Sequence, residues 1–186
     1  MEQTRTPLVF IVEDGTGKPD GTSYVSVDEA EQIMDRIPDQ YKAAWLEMDE
    51  YQKQQVLVWG TQLFDDYIYF PCHPTQRVSQ YQALNFPCYG VYNQDGYQVG
   101  YNSVPAFVKR ATTTLGAELG AANLLSEPIR GITSATVGPL SVTFDENYSH
   151  QPNVIPRSIG GIVAPYCGVV RGASSTGIRA IPLYRA

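Results

Sequence analysis

The chain has 186 residues and a mass of 20.6 kDa, enough for one domain with a substantial core. Its 43% apolar content excludes wholesale disorder, and only 17% of residues are charged, with Tyr 13, Gly 16 and Pro 13 standing in their place. The net charge of −6 speaks against a free-standing duplex-DNA binder, which must neutralise phosphates.

The charge is unevenly placed. Residues 155–186 hold Arg157, Arg171, Arg179 and Arg185 with no acidic residue, whereas residues 1–154 carry 9 basic against 19 acidic residues, net −10. Arginines suit planar, bidentate contact with carboxylate or phosphate; these four read either as ordinary solubilising charges or as an arm that docks on an acidic surface.

In chain order, Leu8 to Val12 reads as a strand or extended arm. The turn-rich run Glu13 to Gly21 is superficially like a phosphate-binding loop. A Walker motif would need Gly where Val12 stands and Ser or Thr where Pro19 stands, so nucleotide binding is not expected. Ser23-Tyr24-Val25 could form a short strand. Ser26 with Glu29 makes a capping box for a helix from Val27 to Arg36, stopped before Pro38. A second helix is expected from about Met48 to Phe70, with Asp49 and Glu50 favouring its N-terminal dipole. Trp59 and Phe64 on it read as core or interface aromatics.

Residues 71–102 are expected to be irregular, because Pro71, Pro74 and Pro87 oppose a long helix. Tyr81, Phe86, Tyr89, Tyr92, Tyr97 and Tyr101 fall in or beside this loop. Such rings can stack on bases or line protein interfaces. The scarcity of basic neighbours favours an interface or core packing. The clearest helix starts near Val104-Pro105 and carries Val108, Ala111, Leu115, Leu119, Ala122 and Leu125 at three- and four-residue spacing. Gly116 and Gly120 leave one side small, which suits close packing within the fold or across subunits. Ile132 to Val137 and Leu140 to Phe144 flank Gly138-Pro139 and read as a hairpin. A short helix over Ile155 to Val163 precedes an arm whose apolar cluster suits docking on a partner, including by strand addition.

The expected fold class is therefore mainly α: a small helical bundle with a β-hairpin at about 132–144, a long irregular loop, and extended N- and C-terminal arms. The expected divisions are an arm and turn-rich loop at 1–22, a helical domain at 23–165 and a docking arm at 166–186.

Catalytic and metal chemistry is thinly supplied. The only histidines are His73 and His150, and no Gly-x-Ser-x-Gly elbow occurs. Adjacent residues such as Asp65 and Asp66 point about 100° apart on a helix, a poor carboxylate pair. Cys72-His73, Cys88 and His150 match no zinc spacing. Three widely spaced cysteines read as reduced thiols. No run approaches the roughly 18 apolar residues of a transmembrane helix, and Met1 to Pro7 lacks a signal-peptide pattern. The expectation is a protein that is not an enzyme and uses no cofactor or metal.

Four stretches together carry a resemblance: Val12 to Gly17 with Ser23 to Ala30; Gln82 to Pro87 with Gly90-Val91-Tyr92; Val104 to Ala111; and Val137 to Asp145. In order and spacing, over about residues 10–165, they resemble phage proteins from structural gene clusters, often labelled DnaT-like single-stranded-DNA-binding. The setting implies a head-to-tail adaptor, or head completion protein: a structural virion protein assembled in the host bacterial cytoplasm and placed at the head-tail junction. Such a protein would form a ring of about twelve copies in cyclic symmetry. Its partners would be the portal protein, a tail or nozzle protein and further copies of itself. Genomic DNA would pass through the lumen without sequence-specific binding, for packaging retention and ejection. The resemblance implies portal binding by Arg171, Arg179, Ile181, Leu183, Tyr184 and Arg185. It implies subunit contacts at Gly116, Gly120, Trp59, Tyr89 and Tyr92. The label implies the alternative, a single-stranded-DNA-binding replication accessory protein, with the aromatic loop stacking on bases and Lys109-Arg110 holding phosphates.

Overall fold

The computed structural model describes residues 8–39, 42–71, 75–121, 134–137, 140–143, 155 and 157–170. The protein is mainly helical, with three two-stranded pairings among the described residues.

Helix α1 spans Val27–Met34. Its capping box is formed as expected: Ser26 Oγ accepts from the Glu29 N–H and Glu29 Oε2 accepts from the Ser26 N–H, both at 3.2 Å. Helix α2, Ala43–Glu47, is short and was not anticipated. It exists to seat Trp45, which is buried. Helix α3 runs over Glu50–Tyr67, shorter than expected at both ends. Asp49 and Gln52 make a second capping box that sets its start. Its end is tertiary: Ile68–Tyr69 turn extended as β1 and pair antiparallel with β6, Val169–Val170.

Helix α4, Ala106–Ala121, begins just after Pro105, whose carbonyl accepts from Val108 and Lys109. It crosses α3 with the backbones nearly touching. A Cβ on Gly60 would lie 2.7 Å from the Thr112 carbonyl oxygen, and one on Gly116 2.9 Å from that of Val56. The small side of α4 is thus used within the fold.

Two apolar clusters result, with α3 contributing to both. One gathers Tyr24, Phe64, Phe86, Val91, Phe107, Leu115 and Ile159. The other holds Val25, Ala30, Met34, Trp45 and Leu57. The first is dominated by aromatic rings set edge to face, with Tyr24–Phe64 centroids at 6.0 Å and Phe86–Phe107 at 5.9 Å. Burying each large side chain contributes about 1.5–3 kcal/mol before chain entropy is counted.

The stretch read as irregular is partly ordered: β2, Gln76–Arg77, pairs with β3, Cys88–Tyr89. Hairpin strands β4, Ser134–Val137, and β5, Leu140–Thr143, pair in the register Ser134↔Thr143 to Val137↔Leu140, as expected. Helix α5 spans Arg157–Val163 and continues as a 3-10 turn to Tyr166. Here the expected boundary moves. Tyr166 stacks on Phe107 at 3.9 Å and Val169–Val170 form β6, so the packed domain extends through 170. The apolar cluster for which docking by strand addition was expected lies outside the described residues.

Candidate interaction surface

The N-terminal turn is the base on which the aromatic segment is built. Glu13 is buried, and its carboxylate accepts from the N–H groups of Gly15 at 2.8 Å, Gly17 at 2.9 Å and Lys18 at 2.7 Å. A concave set of amides that could hold a phosphate is thus filled by the chain's own carboxylate, the physical reason that no nucleotide loop forms. Gly15 has φ +104°, and a Cβ there would run into the Asn102 carbonyl oxygen. The Lys18 carbonyl accepts from the Ala83 N–H at 2.9 Å. The turn therefore clamps both ends of the 83–102 stretch.

Helix α3 pins the same stretch from below. Asp65 accepts from the Tyr24 hydroxyl at 2.6 Å and from the Asn85 N–H at 2.9 Å, and its own carbonyl accepts from the Asn85 side chain at 3.2 Å. Burial pushes the Asp65 carboxyl up to about 6 and the Tyr24 phenol well above its ordinary value. Gln82, buried, donates to the carbonyls of Leu84 and Pro87 and accepts from the Ser79 N–H. Arg77 donates to Asn85 Oδ1 at 2.7 Å. The Phe86–Pro87 bond is cis.

On this framework the tyrosines point out. Tyr81 is 72% and Tyr97 73% exposed, and Tyr89, Tyr92 and Tyr101 are also exposed. Tyr89 and Tyr101 lie against each other with ring centroids 4.6 Å apart. Tyr97 is held in a tight turn, its N–H donating to Asn93 Oδ1 at 2.8 Å. Phe86 is the exception, buried in the core. The loop is thus a pinned segment presenting uncharged aromatic rings.

The cations lie elsewhere and are mostly engaged. All four lysines of the chain are ion-paired: Lys18 with Asp14, Lys42 with Asp35 and Asp39, Lys53 with Glu31, and Lys109 with Glu29. Asp14 is lowered to about 2, first by the Thr16 hydroxyl and then by Lys18. Lys42 is raised by its bond to Asp39, against the opposing effect of desolvation. For Glu29, desolvation acts upward, but Lys109 and the Ser26 N–H outweigh it and the net direction is down.

The sequence-derived contact residues separate. Tyr89 and Tyr92 belong to the exposed segment, and Trp59 is 45% exposed on α3. Gly116 is buried against Val56 within the chain, so its assignment to a subunit contact is corrected. Lacking a side chain, it serves the α3–α4 crossing. Gly120 lies in α4, but its packing falls outside the described residues. Arg171, Arg179, Ile181, Leu183, Tyr184 and Arg185 lie outside the described residues, as do Cys72, His73 and His150. Asp65 is engaged with Tyr24 and Asn85, while Asp66 is exposed, so the two form no pair. Cys88 is a free buried thiol, pushed up to about 12 by burial. Cys167 is disulfide-bonded, which overturns the expectation of three reduced thiols. The Tyr24–Asp65–Asn85 network was missed; its only sequence signal is a polar residue on a face of α3 that otherwise buries Thr61 and Phe64.

A family model described as "Putative DnaT-like ssDNA binding protein" matches residues 8–185. No curated protein and no solved structure matches the sequence.

Proposed function

The chain belongs to the DnaT-like ssDNA binding family, and from that premise and its surface we propose that it acts by protein contact, as a ring adaptor between the portal and tail of a phage. The observation that carries this reading is a contrast in surface chemistry. Every lysine is tied to a carboxylate, while a firmly pinned segment presents uncharged tyrosines. Tyrosines on a rigid frame suit protein interfaces because little side-chain freedom is lost on contact. An acidic wall around a DNA channel would let phosphates slide without sticking. The arginine-bearing tail, with Arg171, Arg179 and Arg185 beside Ile181, Leu183 and Tyr184, would grip the portal, and Trp59, Tyr89 and Tyr92 would face neighbouring copies. Quantitative mass spectrometry of purified virions tests this. Copy numbers near those of the portal subunit are expected; absence from virions would overturn it.

The family description bears more directly on a second reading, single-stranded DNA binding in replication. The exposed tyrosines support it, since every base offers a face to stack on. The net charge of −10 over residues 1–154 and the engaged lysines oppose it. Its test is fluorescence anisotropy with oligothymidylate across a salt series. Submicromolar binding that weakens steeply with salt would establish it over the adaptor reading.

A further inference from the structure

A cleft of about 890 Å³ opens between α1, α4 and α5, on different residues from the tyrosine segment. Its apolar lining includes Ile33, Ile37, Phe107 and Ile162, and its polar lining includes Arg36, Lys109 and Arg110. Lys109 is neutralised by Glu29. The guanidinium groups of Arg36 and Arg110 are exposed and have no hydrogen-bond or ion-pair partner among the described residues. In a chain whose four lysines are ion-paired and whose Arg77 is hydrogen-bonded, two unpartnered arginines beside one apolar trough are a local reversal of charge.

We propose that this cleft binds an acidic peptide segment of a partner protein, anchored by an aliphatic or aromatic side chain. The guanidinium is planar and always charged, and it meets a carboxylate through two parallel hydrogen bonds. The trough would take the anchor, and Arg36 and Arg110 would take flanking carboxylates. The net charge of −10 over residues 1–154 disfavours such a segment on the rest of that stretch, so within it the cleft is the favoured site. A nucleic acid strand fits less well, because among the described residues its phosphates would meet only two free cations, with the Glu29 carboxylate among the lining groups. The inference deepens the protein-contact reading by naming the chemistry of one partner segment.

The test uses the full chain and a fluorescein-labelled peptide alternating aspartate with leucine, beside its counterpart with lysine for aspartate and a labelled oligothymidylate. Anisotropy should show binding of the acidic peptide alone, weakened about tenfold or more by R36E/R110E. Both arginines are exposed, so the variant should keep the wild-type melting temperature. Failure of the acidic peptide to bind, equal binding of both peptides, or an undiminished affinity in R36E/R110E would each overturn the proposal. Oligothymidylate binding lost in the same variant would reassign the cleft to nucleic acid. Self-association lost in it, without peptide binding, would reassign the cleft to a second copy. A chain that binds the acidic peptide but is absent from virions would fault the adaptor reading and leave this proposal standing.

Discussion

The Tyr24 hydroxyl donates to Asp65 at 2.6 Å and accepts from the Phe86 N–H at 3.0 Å. One buried oxygen thereby joins three segments far apart in sequence: the end of the N-terminal turn, the last turn of α3 and the root of the aromatic segment. Tyr24→Phe keeps the ring packing against Phe64 and Phe86 but leaves the Phe86 N–H and one Asp65 oxygen without a partner. The expected loss is about 1–3 kcal/mol by urea denaturation. A change below a few tenths would show that water replaces the hydroxyl freely.

The same carboxyl makes stability depend on pH. Asp65 rises from 3.8 to about 6 in the folded chain, chiefly by burial. Between those values the folded state holds a proton that the unfolded state has released. Its contribution is therefore full below pH 3.8 and lost as pH rises through about 6, by at most about 3 kcal/mol. Urea midpoints measured across this window should reveal the falling term, and Asp65→Asn should flatten it. An unchanged slope in that variant would assign the titration to another group.

The α3–α4 crossing predicts a contrast among glycines. Gly60→Ala and Gly116→Ala each drive a Cβ into a backbone carbonyl across the helix pair. Each should destabilise by about 1–3 kcal/mol or more, since backbone cannot rotate away as a side chain can. A Cβ on Gly160 in α5 meets nothing within 4 Å. Gly160→Ala should be neutral or stabilising by up to about 1 kcal/mol through helix propensity. Thermal denaturation of the three variants checks the ordering.

Glu13→Gln tests the filled turn. An amide keeps one acceptor oxygen but turns a donor toward the N–H groups that Glu13 now satisfies. The expected cost is about 1–3 kcal/mol. Because the turn clamps residues 83 and 102, hydrogen exchange should rise along 83–102 as well as at the turn. Protection lost only at residues 13–18 would show that the clamp is local.

Tyr81→Ala with Tyr97→Ala separates surface from support. Both rings are exposed, so stability should move by no more than about 0.5 kcal/mol. Binding should fall in whichever assay reports the true partner, portal rings or oligothymidylate.

Much of the architecture was written locally. The capping box at Ser26 and Glu29 needs only residues three apart, and it appeared where the pattern placed it. The hairpin around Gly138-Pro139 and the periodic face of α4 were legible for the same reason: turn chemistry and helical spacing act over a few residues. The exclusion of a Walker loop followed from Val12 and Pro19 alone.

Tertiary contacts decided what spacing could not. Helix α3 stops at Tyr67 because Ile68 and Tyr69 pair with residues about a hundred positions later, a partner that no local pattern reveals. Gly116 left packing within the fold and packing across subunits equally open, and only the Val56 carbonyl chose between them. The phosphate-loop likeness of Gly15 to Lys18 was emptied by Glu13 folding back into the amides. Sequence alone determined that the chain is helical, acidic and rich in tyrosine. Which tyrosines face out, which lysines are neutralised and where two arginines stay free depended on side chains meeting across the fold, because burial and ion pairing are properties of neighbours in space.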